Sequence, residues 1–93
     1  MKPLNPALFA TLIVSCPDRR GLVAGLAQFL TGHGANIVHA EQHRDTTTSL
    51  FFQRIQFDMS EMYSDRVGLE NGLRELAERF QMNWKLYYGD YLP

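Results

Sequence analysis

Residues 16–21, CPDRRG, place a thiol, a carboxylate and two guanidinium groups within six positions. The run lies between an apolar stretch and a segment that carries almost no charge. Pro17 stiffens the turn, and Asp18 is placed to cap the following helix with its carboxylate. Gly21 then lets backbone or a ligand approach closely. A helix start presents unpaired N–H groups and the positive end of the helix dipole, so it is a natural seat for a carboxylate. Arg19 and Arg20 add positive charge beside it. The plainer alternative is a capped helix start with two solvated arginines.

Other groups of reactive type are weaker candidates. His39, Glu41 and His43 alternate along one face of a strand and are of the right types to bind a metal. Four strand residues separate the two histidine Cα atoms by about 13 Å, and both reaching one ion at about 2.1 Å would need strained side chains. They read better as hydrogen-bonded strand or interface histidines, with no metal. Cys16, ahead of a helix, could have a lowered pKa, but a buried structural thiol is the better reading. Phe51 and Phe52 resemble the stacking aromatics of RNA-binding sheets, yet no lysine stands near them. CPDRRG is also a poor phosphate cradle, since it holds one glycine and an acidic residue.

The elements that must position these residues follow from periodicity. Residues 1–7, with two prolines and an asparagine, read as a loose arm. Residues 8–15, LFATLIVS, form an apolar first strand bounded by proline on both sides, suited to a central place in a sheet. Residues 21–34 form a helix with Leu22, Leu26, Phe29, Leu30 and His33 on one stripe, closed by Gly34 in a left-handed cap. Its outer face is Ala24, Gly25, Ala27, Gln28 and Thr31, and no Asp, Glu, Lys or Arg occurs from Gly21 to Ala40. A face so small and uncharged suits contact with a second protein surface.

Residues 36–45 form strand two, and the turn 46–49 leads to strand three at 50–58. Phe51, Ile55 and Phe57 share one face of strand three and are assigned to the core. Leu50, Phe52, Arg54 and Gln56 share the other face, which is polar enough for solvent and apolar enough to be covered. Ser64 or Asp65 caps a second helix with the stripe Leu69, Leu73, Leu76 and Phe80. Glu70 and Arg74, like Glu75 and Arg79, stand at i,i+4 spacing in the favourable order. Residues 83–91 form strand four, with Trp84, Leu86 and Tyr88 on one face.

The order is β-α-β-β-α-β. It predicts an α+β, ferredoxin-like βαββαβ domain, a four-stranded antiparallel sheet with two helices on one face. Ninety-three residues suffice for one such domain, over residues 8–93. A net charge of −1 and an isoelectric point near 6.3 give no footprint for nucleic acid or an anionic membrane. One cysteine, no cleavage-site pattern and no long apolar span fit a soluble cytoplasmic domain. The end at Leu92-Pro93, directly after a strand, looks cut rather than finished.

Four stretches together carry a resemblance: SCPDRRGLVAGLAQFL (15–30), GANIVHAEQHRD (34–45), FFQRIQF (51–57) and ERFQMNWKLYYGD (78–90). The chain resembles an ACT domain, a small ligand-sensing module, and more narrowly the N-terminal domain of the formyltetrahydrofolate deformylases. Gln53 departs from that pattern, which usually has methionine there. The resemblance implies a parent enzyme that hydrolyses 10-formyltetrahydrofolate to formate and tetrahydrofolate. Its catalytic asparagine, histidine and aspartate would lie in a downstream formyltransferase-like domain, so no residue here is expected to be catalytic and no cofactor is expected in this domain.

The resemblance also implies a small amino-acid effector, methionine or glycine being the candidates, held by Asp18, Arg19, Arg20, Gly21 and Leu22 with Asn36 and Ile37. A helix of ~13 residues spans about 20 Å, so one domain cannot bring Asn36 to its own Gly21. A second copy packed antiparallel along helix 22–33 could, which predicts a homo-oligomer through that helix. The alternative is a free-standing amino-acid-binding regulator without enzyme activity.

Overall fold

The computed structural model describes residues 8–89, so the expected arm at 1–7 and the chain end at 90–93 lie outside the described residues. Six elements follow the expected order: β1 (Phe9–Pro17), α1 (Leu22–Gly32), β2 (Asn36–Asp45), β3 (Leu50–Asp58), α2 (Arg66–Phe80) and β4 (Asn83–Tyr88). The four strands form one antiparallel sheet in the order β2-β3-β1-β4. The apolar β1 is thus an inner strand, paired with β3 along its whole length and with β4 from Ala10 to Ser15. It runs two residues past the expected 15, and Pro17 is tolerated because it is the strand's last residue. Strand four runs to Tyr88, with Gly89 at φ +89° donating to the Phe9 carbonyl, and its expected continuation over 90–91 lies outside the described residues.

One face of the sheet is the core. Ala10, Leu12, Val14 and Cys16 of β1 and Phe51, Ile55 and Phe57 of β3 are buried there. Against them pack Leu22, Leu26 and Leu30 of α1 and Leu69, Leu73 and Leu76 of α2. Gln53 lies on this same pleat face, 5 % exposed, with its Oε1 unpartnered. Among the described residues no helix lies on the other face of the sheet, and Phe52 on it is 39 % exposed.

The helix ends obey local rules. Asp65 caps α2, its Oδ1 accepting from the Gly68 N–H at 2.8 Å. At the far end of α1, Gly34 has φ +83°, and the N–H groups of Gly34 and Ala35 donate to the carbonyls of Thr31 and Leu30. These are the paired bonds of a left-handed helix stop. Neither expected i,i+4 ion pair forms on α2. Glu70 instead accepts from the Tyr88 hydroxyl at 2.6 Å, and Arg74 donates to Asn71. The tertiary bond to β4 outcompetes a surface pair of small net value.

Two predictions follow from this framework. A Cβ at Gly34 would stand 2.9 Å from the Glu61 carbonyl oxygen, on a backbone of left-handed φ. Gly34→Ala is expected to cost about 2 kcal/mol, read as a lowered urea midpoint. Gly32→Ala, with open space around the new methyl, should be neutral or stabilising by up to about 1 kcal/mol.

Burial, then the Glu70 carboxylate, hold the Tyr88 phenol well above its ordinary value of 10.0, outweighing Arg66, whose guanidinium stacks 4.1 Å above the ring. A folded-state pKa raised in this way contributes stability that is complete below the unfolded value and lost as pH rises through the folded one. Stability should therefore fall more steeply as pH rises above ~10 in the natural chain than in Tyr88→Phe, as urea midpoints at and above that pH would show.

Candidate functional site

The loop after β1 is built by three tethers to distant parts of the chain. The Asp18 N–H donates to the Ser49 carbonyl at 2.8 Å, fixing the loop to the β2–β3 turn. Its carboxylate accepts from Arg44 Nε at 3.1 Å, an ion pair from loop to β2. Arg19 lays its guanidinium over the Phe80 ring, 5.1 Å from the centroid, on α2.

Asp18 is therefore not the cap of α1, contrary to expectation. The N-cap is Gly21, at φ +89° and ψ 1°, and no side chain bonds to the helix start. Arg44 wins the carboxylate because Asp18 stands three residues before the cap, just past the end of β1, where its N–H is tied to Ser49 in the β2–β3 turn. The helix start is left with no capping acceptor from a side chain, beside Arg19 and Arg20, and open space surrounds Gly21. Leu22 is fully buried in the core, so only its backbone can face this space.

From Gly21 a groove of about 590 Å³ runs between the two helices, walled by Ala24, Gln28, Glu75 and Arg79. The uncharged face of α1 is partly used within the chain. A Cβ on Gly25 would meet the Phe80 ring at 3.3 Å, so this glycine serves the contact between helices rather than an outer surface. Phe29 and His33 likewise turn toward α2, where a Cβ on Gly72 would meet Phe29 at 2.8 Å. His33 Nδ1 also bonds Ser64 Oγ at 2.6 Å. Ala24, Gln28 and Thr31 remain exposed.

The structure brings Asp18, Arg19, Arg20, Gly21 and Leu22 together but not Asn36 and Ile37. In register, Asn36 pairs with Asp58 and Asp58 with Phe9, whereas Asp45 pairs with Leu50 and Leu50 with Pro17. The two groups thus lie at opposite ends of the sheet, eight strand steps or about 27 Å apart. Asn36 is exposed, while Ile37 pairs with buried Phe57 and packs against the core.

The chemistry available at the loop is non-covalent. Cys16 is 1 % exposed, and burial, with Asp18 adding to it, pushes its thiol up, away from a reactive thiolate. His39 Nε2 bonds Glu41 Oε1 at 2.7 Å, and this bond lowers the Glu41 pKa. His43 stacks on Phe52. Among the described residues no three His, Cys, Asp or Glu side chains are grouped to hold a metal ion, and no helix is long and apolar enough to cross a membrane. Uncapped N–H groups with flanking guanidinium groups suit a carboxylate. Sequence reasoning missed Arg44, Ser49 and Phe80, whose roles arise from strand register and helix packing rather than spacing.

Comparison with known proteins adds to this geometry. The ACT domain family model matches residues 10–79. A formyltetrahydrofolate deformylase of Synechocystis sp. is 41 % identical over 86 residues, 92 % of this chain and 30 % of the relative. One from Bacillus subtilis is 40 % identical over 76 residues, 81 % of this chain and 25 % of the relative. The crystal structure of a formyltetrahydrofolate deformylase from Pseudomonas syringae superposes with a TM-score of 0.79 at 32 % identity, over 84 % of this chain and 26 % of that one. The chain thus spans between a quarter and a third of the length of these proteins.

The tethering of Asp18 has a direct test. Asp18→Ala should cost under ~1 kcal/mol, as expected for an exposed ion pair, and should leave α1 intact by circular dichroism. Asp65→Ala, which removes a true cap, should cost ~1 kcal/mol or more. Urea midpoints of both variants check the order.

Proposed function

This chain belongs to the ACT domain family, and we propose that it is the regulatory or assembly domain of a formyltetrahydrofolate deformylase acting in the cytoplasm. The observation that carries this is the match of nearly the whole chain, at about 40 % identity, to a minor part of two such proteins. The parent enzyme would hydrolyse 10-formyltetrahydrofolate to formate and tetrahydrofolate, with its catalytic groups outside these residues.

In this reading the domain senses a small amino acid, methionine or glycine being the candidates. The uncapped start of α1 receives the carboxylate through backbone N–H groups, at Gly21 and Leu22, with Arg19 and Arg20 supplying charge. Asp18 is occupied by Arg44, so its part is to hold the loop rather than the ligand. Asn36 and Ile37 contribute from a second copy, because the register sets them at the far end of their own sheet. A ligand shared between two copies favours one relative placement over others, and so biases the attached enzyme by its difference in affinity for the two.

The test is calorimetric titration of the 93-residue chain with methionine, glycine and a panel of other amino acids, alongside sedimentation. The expected result is a dimer that binds one amino acid saturably, with binding lost in Asn36→Ala. A dimer that binds none of the panel would leave assembly as the domain's role. A stable monomer would overturn the shared site. Binding by a protein that cannot hydrolyse 10-formyltetrahydrofolate in its natural full length would favour a free-standing amino-acid regulator.

A further inference from the structure

The helix-free face of the sheet holds a cation that the proposed function does not use. Arg54 stands there on β3, in a row with Glu41 of β2 and Ile13 of β1. Its Nε and Nη2 are both shut off from solvent, and neither has a hydrogen-bond acceptor among the described residues. Glu41, the nearest carboxylate in register, is turned to His39 instead. A guanidinium stays charged and cannot escape the cost of burial by losing its proton. The two unsatisfied donors are also a matched pair, since Nε–H and Nη2–H point the same way and together fit the two oxygens of one carboxylate.

Arg54 lines a groove of about 460 Å³ with Ile13, Ser15, Glu41, His43 and Phe52 among its other walls. That volume lies in the range of small-ligand sites, ~300–1,000 Å³. Phe52, 39 % exposed and stacked on His43, and Ile13 supply an apolar flank. Glu41, whose Oε1 is bonded to His39 Nε2 at 2.7 Å, forms part of the same wall.

From this geometry we propose that the open face of the sheet binds a small monocarboxylic acid with an apolar ring or chain, its carboxylate on the side-on edge of Arg54 and its apolar part against Phe52 and Ile13. The site is separate from the loop after β1 and does not rest on the amino-acid reading.

The test is an NMR titration of the isotopically labelled 93-residue chain with phenylacetate, observing the Arg54 Nε–H signal and the amides of Ile13 and Phe52. Saturable shifts of all three are expected, weakened about tenfold or more in Arg54→Gln. Arg54→Lys keeps the charge but not the paired donors and should also bind weakly, while its amide spectrum shows that the fold is kept. 2-Phenylethylamine, with the ring but no carboxylate, should produce no saturable shift. Asn36→Ala should leave phenylacetate binding unchanged, so this site and the shared amino-acid site fail independently. No saturable shift at millimolar phenylacetate, or an equal response to the amine, overturns the proposal. So does a dimer that Arg54→Gln converts to monomer, because the missing acceptor would then belong to a second copy.

Discussion

Two antiparallel ladders converge on β1, one to β3 from Phe9 to Pro17 and one to β4 from Ala10 to Ser15. Strand side chains alternate between faces, so a slip of one residue would send Leu12, Val14 and Cys16 to solvent and bring Ile13 and Ser15 inward. This register determines the rest. It sets where α1 leaves the sheet, and it places the loop at 18–21 beside the β2–β3 turn, where Ser49 and Arg44 hold Asp18. It also sends Asn36 to the far end. No local rearrangement can unite the loop with Asn36 while Leu12 and Val14 stay buried.

The second constraint is how closely the helices approach. Gly25 of α1 faces the Phe80 ring, and Gly72 of α2 faces Phe29 and His33, so each helix offers a glycine where the other presents a ring. This exchange lets two short helices cover one face of a four-stranded sheet with few large residues. Phe80 then carries Arg19 on its exposed side. The loop is thus coupled to α2 as well as to β2, and a shift of one helix against the other would be felt at the proposed seat for a carboxylate.

Much of this was legible in the chain because it is local. The alternation in residues 50–58 marks Phe51, Ile55 and Phe57 as core, Gly34 marks the end of a helix, and Asp65 marks the start of another. The six elements and their order follow from such signals. What was misread depended on partners far away in sequence. Asp18 looks like a cap until register brings Arg44 to it, and Glu70 looks like the partner of Arg74 until β4 brings the Tyr88 hydroxyl. Gly25 looks like part of an outer surface until Phe80 is seen against it. The loop residues were found from their types, but their roles were set by contacts that spacing does not encode.

β2 differs from the other strands. Among the described residues it pairs with β3 alone, as β4 does with β1, but a bulge interrupts its ladder between Ile37 and His39, and of its ten residues only Ile37 and Asp45 are even half-buried. Few of its side chains reach the core, so the backbone ladder to β3 is chiefly what holds it in the sheet. A ligand that grips Asn36 would therefore act on an edge strand held chiefly by its ladder to β3. Part of its binding energy would go into stiffening β2, and information about its presence could pass along the sheet edge as a change in mobility, with no change in mean structure.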